Sequence, residues 1–187
     1  MKRHLLTSFS LLFLVLTIVA QDLNTYYGNA DGKYKTGLKA ALKGIIANHT
    51  PLGYGNLWAA YEQVDYIEGK INSDGQYQVF DYYSDSIFYF KGNGTAVTGM
   101  NKEHVAPQSW WGKGTNIPVG NDLIQVIPAE ENANTAKNNY PLGIVKGTPM
   151  YPNNDSGLAP RIKTGSDING QPVFEPCDEY KGDFARI

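Results

Sequence analysis

Three stretches of the sequence predict an α+β fold. Apolar residues at helical spacing mark residues 37–48, and aromatic and β-branched residues at strand spacing mark residues 77–90. A strand, loop, strand, helix order then runs from Thr95 to about Lys137. At 187 residues the chain is long enough for one domain with its own core.

Taken in order, residues 1–20 carry Lys2 and Arg3, then an apolar run from Leu11 to Ala20, and polar sequence begins at Gln21 and Asp22. This is the layout of a secretory leader, and the apolar run is shorter than the ~20 residues a spanning helix needs. Cleavage near Ala20 would leave residues 21–187 as a mature domain, secreted or periplasmic. Leu38, Leu42, Ile45 and Ile46 share one helical face, and His49-Thr50-Pro51 ends that helix. A second helix is expected from Asn56, a good cap, through Leu57, Trp58 and Tyr61. Both helices are expected to bury these faces. Residues 77–83 and 87–90 read as strands, and the 13 tyrosines of the chain read chiefly as packing groups of such strands rather than as ligand-stacking surfaces. Gly92-Asn93-Gly94 is a turn signal leading into a strand from Thr95 to Gly99. After a Gly- and Pro-bearing loop, Leu123 to Ile127 reads as a strand, and Pro128-Ala129-Glu130-Glu131 opens a helix with acids in its first turn. Beyond Pro141 the sequence is turn-rich, including residues 152–157, and an ordered but loop-heavy region is expected.

The formal net charge is −2, and removing Lys2 and Arg3 with the leader leaves 14 Lys plus Arg against 18 Asp plus Glu. Gripping nucleic acid by charge alone needs a basic chain. Phosphate binding here must rest on a metal ion and a local patch. The single cysteine, Cys177, cannot form an internal disulfide.

The chemistry concentrates at Glu103-His104. Neighbours at the end of a strand leave on opposite faces, so a group bound between them is approached from two sides. In-line cleavage of a phosphodiester needs a base at one side of phosphorus and a Lewis acid at the other. A histidine can be that base and a carboxylate can hold the metal. Asn134, on the following helix, offers a neutral hard oxygen, with Asn132 competing for the same part. His49 reads as a capping or structural group.

Asn101-Lys102-Glu103-His104-Val105-Ala106-Pro107-Gln108-Ser109-Trp110 resembles the N-R-E-H-V-W-P-Q-S-W segment of the bacterial endonuclease I family, exported nucleases with a His-Me finger (ββα-metal) site. The resemblance continues through Asn121-Asp122-Leu123, Ile127-Pro128, Asn134 and Asn139-Tyr140-Pro141-Leu142-Gly143. It ends with Phe174-Glu175-Pro176 and Lys181-Gly182-Asp183-Phe184-Ala185-Arg186. It implies an α+β His-Me finger fold, His104 as general base, and one Mg²⁺ (or Ca²⁺ or Mn²⁺) ion on Glu103 and Asn134. By analogy with the family, cleavage leaves 5′-phosphate ends; the expected enzyme is a monomer of low sequence specificity acting on nucleic acid, DNA or RNA, between which the sequence does not decide.

Two positions depart from the family pattern D-L-H-H-L and N-x-x-R. This chain has Ile124 and Gln125 in the first, and Lys137 in the second, where a lysine can supply charge to a substrate phosphate but not a two-pronged contact. A non-catalytic exported module that binds a polysaccharide or other surface polymer is the alternative reading, supported by the acidic charge and these departures. Asp183 reads as an N-cap whose helix has only its first turn before Ile187, so a C-terminal helix region is expected to be missing.

Overall fold

The computed structural model describes residues 23–47, 50, 52–151 and 161–187. The expected leader, His49 and the turn at residues 152–157 lie outside them. The chain divides into two compact units, Met1–Thr50 and Pro51–Ile187. In the first, α1 (Leu23–Tyr27) leads through a 3-10 turn to α2 (Lys35–Ile46). The apolar face of α2 forms as its spacing requires, yet no residue of the helix is fully buried, and Ile46 is 55% exposed. Among the described residues of its own unit, α2 packs against α1 and one short turn, and the expected burial is not reached there.

The second unit is mixed α and β. It begins with α3 (Leu57–Val64), which does bury Leu57, Trp58 and Tyr61. Asn56 occupies the cap position, but its side chain makes no capping bond, because the preceding 3-10 turn already holds it in helical conformation. Next, β1 (Tyr66–Ile71) pairs antiparallel with the short β2 (Tyr77–Val79). β1 carries no clean apolar alternation and was not expected. The stretch at residues 87–90 is no strand but adds one bridge, Gln78 to Tyr89, on β2. The Gly92-Asn93-Gly94 turn is present, all three residues with positive φ.

The central pair is β3 (Met100–His104) and β4 (Val126–Glu130), antiparallel with Glu103 opposite Ile127 and His104 opposite Val126. Both strands lie three to five residues later than the sequence suggested, and Pro128 sits inside β4 rather than at a helix start. A two-stranded sheet consists of edges only, where a residue without an N–H is tolerated. α4 (Glu131–Lys137) follows at once, capped by the Glu130 carboxylate, which accepts from the backbone N–H of Asn132 and Ala133.

Beyond Pro141 the expected loop region is instead a three-stranded antiparallel sheet, β5 (Lys146–Tyr151), β6 (Ile162–Ser166) and β7 (Pro172–Pro176). α5 (Lys181–Phe184) comes last. Asp183 is inside α5 and not its cap, because the Tyr180 carbonyl already accepts from the Asp183 and Phe184 N–H groups. No helix among the described residues is long and apolar enough to cross a membrane.

Two apolar clusters meet at β3 and β4. One gathers Leu57, Trp58, Tyr61, Val79, Phe90, Val97, Met100 and Val126. The other gathers Tyr83, Val105, Ile127, Ala129, Ala133, Ile162, Phe174, Tyr180 and Phe184. Successive residues of a strand point to opposite faces, so Val126 enters the first cluster and Ile127 the second, and all five residues of β4 are buried.

Asp81 ties the second cluster to the β4–α4 joint. Its carboxylate accepts from the Tyr83 N–H at 2.8 Å, the Ser84 hydroxyl at 2.7 Å and the Glu130 N–H at 3.3 Å. Burial pushes its carboxyl from the ordinary 3.8 up to about 6, against the pull of these hydrogen bonds. Between those values the folded chain keeps a proton that the unfolded chain has released. Ionisation of Asp81 therefore erodes stability as pH rises from about 4 to about 6, and the loss is complete above that. Urea denaturation of wild type and Asp81→Asn should show the difference in stability (wild type minus variant) falling by up to about 3 kcal/mol between pH 4 and 6.5. A difference independent of pH would mean that Asp81 is ionised throughout.

Candidate active site

Glu103 and His104 end β3, and the alternation of the strand sends them to different surroundings. Glu103 turns toward the second cluster and is only 5% exposed. Its Oε1 receives the Lys137 ammonium at 2.6 Å and the Tyr83 hydroxyl at 3.0 Å. Lys137, at the end of α4 and 1% exposed, also donates to the His104 carbonyl at 3.0 Å. One ammonium thus holds the side chain of one residue and the backbone of the next. Burial pushes the Glu103 carboxyl above the ordinary carboxylate range, and the Lys137 charge with its hydrogen bond pulls it back. The Tyr83 hydroxyl, enclosed and beside Glu103, is held far above its ordinary value and stays a donor.

His104 lies on the other face. Its Nε2 is 3.0 Å from the Gly120 carbonyl and 3.2 Å from the Gln108 side-chain nitrogen. A carbonyl only accepts, so the nitrogen that bonds it carries the hydrogen, the Gln108 NH2 beside it cannot also donate to that nitrogen, and the lone pair of the neutral ring falls on Nδ1. Burial pushes the imidazole below its ordinary 6.5, so the ring is neutral at neutral pH. Tyr54 stacks on it at 5.9 Å, nearly parallel, and Trp111 approaches at 5.8 Å.

The loop between β3 and β4 is shaped to present the Gly120 carbonyl. A Cβ on Gly120 would meet the Gly114 carbonyl and lie 2.8 Å from the Thr115 Cα, so only glycine fits. Gln125 fastens the same loop: its side chain accepts from the Ala106 N–H at 3.2 Å and donates to the Val119 carbonyl. The departure at this position is therefore a buried clamp, whereas Ile124 beside it is 72% exposed.

Glu103, His104 and Asn134 line one open cleft of about 480 Å³, together with Lys102, Gln108 and residues at the end of α4. Asn134 is the fourth residue of α4. Asn132 does not line the cleft, since its side chain bonds the Glu130 carboxylate at 2.8 Å. Lys137 does not line it either: its ammonium is enclosed with Glu103 and the His104 carbonyl, which removes it from contact with a substrate phosphate.

The cleft donors suit a hard divalent cation. Oε1 of Glu103 is occupied by Lys137 and Tyr83, while Oε2 has no side-chain partner among the described residues. The amide of Asn134 likewise has no side-chain hydrogen bond there, and its oxygen is a neutral hard donor. No group of three or more His, Cys, Asp or Glu among the described residues could hold a metal, so an ion here would rest on one carboxylate, one amide and non-protein oxygens, as Mg²⁺ usually does at phosphates.

The Endonuclease I family model matches residues 35–187. The chain belongs to the endonuclease I family. Two relatives of this endonuclease I chain are extracellular ribonucleases. That of Bacillus amyloliquefaciens is 34% identical over 166 residues, covering 89% of this chain and 52% of the relative. That of Bacillus subtilis strain 168 is 30% identical over the same length, with the same coverage. The chain spans about half the length of the relatives it matches. No solved structure matches it.

Several residues in or behind this endonuclease I cleft carry no mark in the sequence. Tyr83 lay in a stretch read as packing, and nothing local marks a tyrosine that will reach a carboxylate 20 residues on. Gln108 sat inside the quoted motif without a role, and Gly120 is one of 20 glycines.

Breaking a buried pair from one side strands a charge, which typically costs about 3–5 kcal/mol, whereas removing both partners is far cheaper. Chemical denaturation should therefore find Lys137→Met destabilised by an amount in that range, and Lys137→Met with Glu103→Gln substantially recovered. Equal losses in the single and double variants would mean that the two side chains are not coupled.

Proposed function

We propose that this chain is a secreted, metal-dependent endonuclease that hydrolyses phosphodiester bonds in nucleic acid with little sequence preference, on a His-Me finger (ββα-metal) element formed by β3, β4 and α4. The observation that carries the reading is the meeting of Glu103, His104 and Asn134 in one cleft, with His104 neutral and one nitrogen held by a backbone carbonyl. Membership of the endonuclease I family and relatives named extracellular ribonucleases support it.

In this mechanism the free nitrogen of His104 takes a proton from water. The water oxygen forms a bond to phosphorus as the bond from phosphorus to the 3′-oxygen breaks. The products are a 5′-phosphate and a 3′-hydroxyl, whose proton comes from solvent. A single Mg²⁺, Ca²⁺ or Mn²⁺ ion on Glu103 and Asn134, when bound, would supply positive charge to the phosphate and to the departing oxygen. Lys137 and Tyr83 hold the Glu103 carboxylate in place, and Gly120 fixes the plane and tautomer of the base.

Incubation of the purified chain with plasmid DNA and with total RNA, with and without EDTA, tests the reading. Metal-dependent cleavage of either polymer is expected, and its absence from both overturns the proposal. His104→Ala should lower turnover by ~10²-fold or more with little loss of Mn²⁺ binding in calorimetry, while Glu103→Ala should weaken that binding. If added metal restored the His104→Ala enzyme, the histidine would be a ligand rather than the base.

A further inference from the structure

Lys102 and His104 are two residues apart on β3 and so project from the same face. Their side chains converge on Tyr54, whose ring stacks on His104 while the Lys102 ammonium stands 4.3 Å from its centroid. The same ammonium donates to the Tyr54 carbonyl at 2.6 Å. These two contacts aim a flexible side chain, and an ammonium has three N–H donors, so donor capacity remains. No carboxylate among the described residues pairs with Lys102, which lines the cleft beside His104. The contrast with Lys137 is direct: that charge is enclosed against Glu103, and this one faces the cleft uncompensated. In a chain of net charge −2, a fixed unpaired cation beside the base is a place for an anion.

We infer that Lys102, aimed by the backbone and ring of Tyr54, binds a non-bridging oxygen of the substrate phosphate lying against His104, and is the cleft's phosphate-binding cation in place of Lys137. The inference rests on the nuclease reading above.

The test measures initial rates on a fluorescein-labelled mixed-sequence oligonucleotide, supplied as DNA and as RNA, with Mg²⁺ over a series of KCl concentrations. Lys102→Met should lose roughly tenfold in kcat/KM at low salt, chiefly through KM. The slope of log kcat/KM against log salt should become shallower by about 0.7–0.9, the value of one phosphate contact. Lys102→Arg should retain most of both. Lys70→Met, an exposed lysine of β1 outside the cleft, should leave the slope unchanged.

Wild-type rates and slope in Lys102→Met, from a preparation whose wild type cleaves, would overturn the inference and leave the nuclease reading standing. A lowered melting temperature with an unchanged slope would equally overturn it, as the mark of a structural role alone. If Lys102→Met does not fold, Lys102→Gln carries the same comparison, and a wild-type slope there refutes it. A wild type that cleaves neither polymer removes the nuclease reading and this inference with it.

Discussion

The ion pair between Lys137 and Glu103 organises everything around it. A lysine 1% exposed and a carboxylate 5% exposed are tolerable together only in close contact, because each alone would have to give up its hydration without return. Satisfying both requires the end of α4 to lie against β3, and the second bond of Lys137, to the His104 carbonyl, fixes the strand where the two site residues stand side by side. Tyr83 completes the arrangement, and the rings of Phe174 and Phe184 against Tyr83 bring β7 and α5 to its support. Phe174 and Phe184 thus back a carboxylate that precedes them by roughly 70 and 80 residues.

The same pair separates two kinds of positive charge. Lysine and arginine differ in that a compact ammonium can be enclosed with a single carboxylate and a carbonyl, while a guanidinium offers five donors that must all be placed. The lysine found here in α4 is of the first kind, and it serves the protein's interior. The cation left facing the cleft comes from the strand itself.

Much of the central element was legible because its signals are local. The strand, loop, strand, helix order follows from apolar runs broken by Gly and Pro, and Glu103, His104 and Asn134 stand out as chemistry-bearing residues within it. The strand boundaries were misjudged because Pro128, a good first residue of a helix, is equally acceptable in a sheet made only of edges. The C-terminal sheet was missed for a different reason. β5 contains Gly147 and Pro149 and is largely exposed, and β6 buries Thr164 and Gly165 beside Ile162, so neither shows the alternation that marks a strand. The role of Lys137 was illegible in principle, since a lysine three residues after Asn134 reads the same whether it points to solvent or to a buried acid.

Finally, β4 has no face of its own. Val126 belongs to one apolar cluster and Ile127 to the other, so neither cluster can come apart while the other keeps this strand. The two clusters are joined through that strand. Glu103 and His104, the two residues proposed to act on substrate, are thus carried on the strand paired with the one that both clusters share.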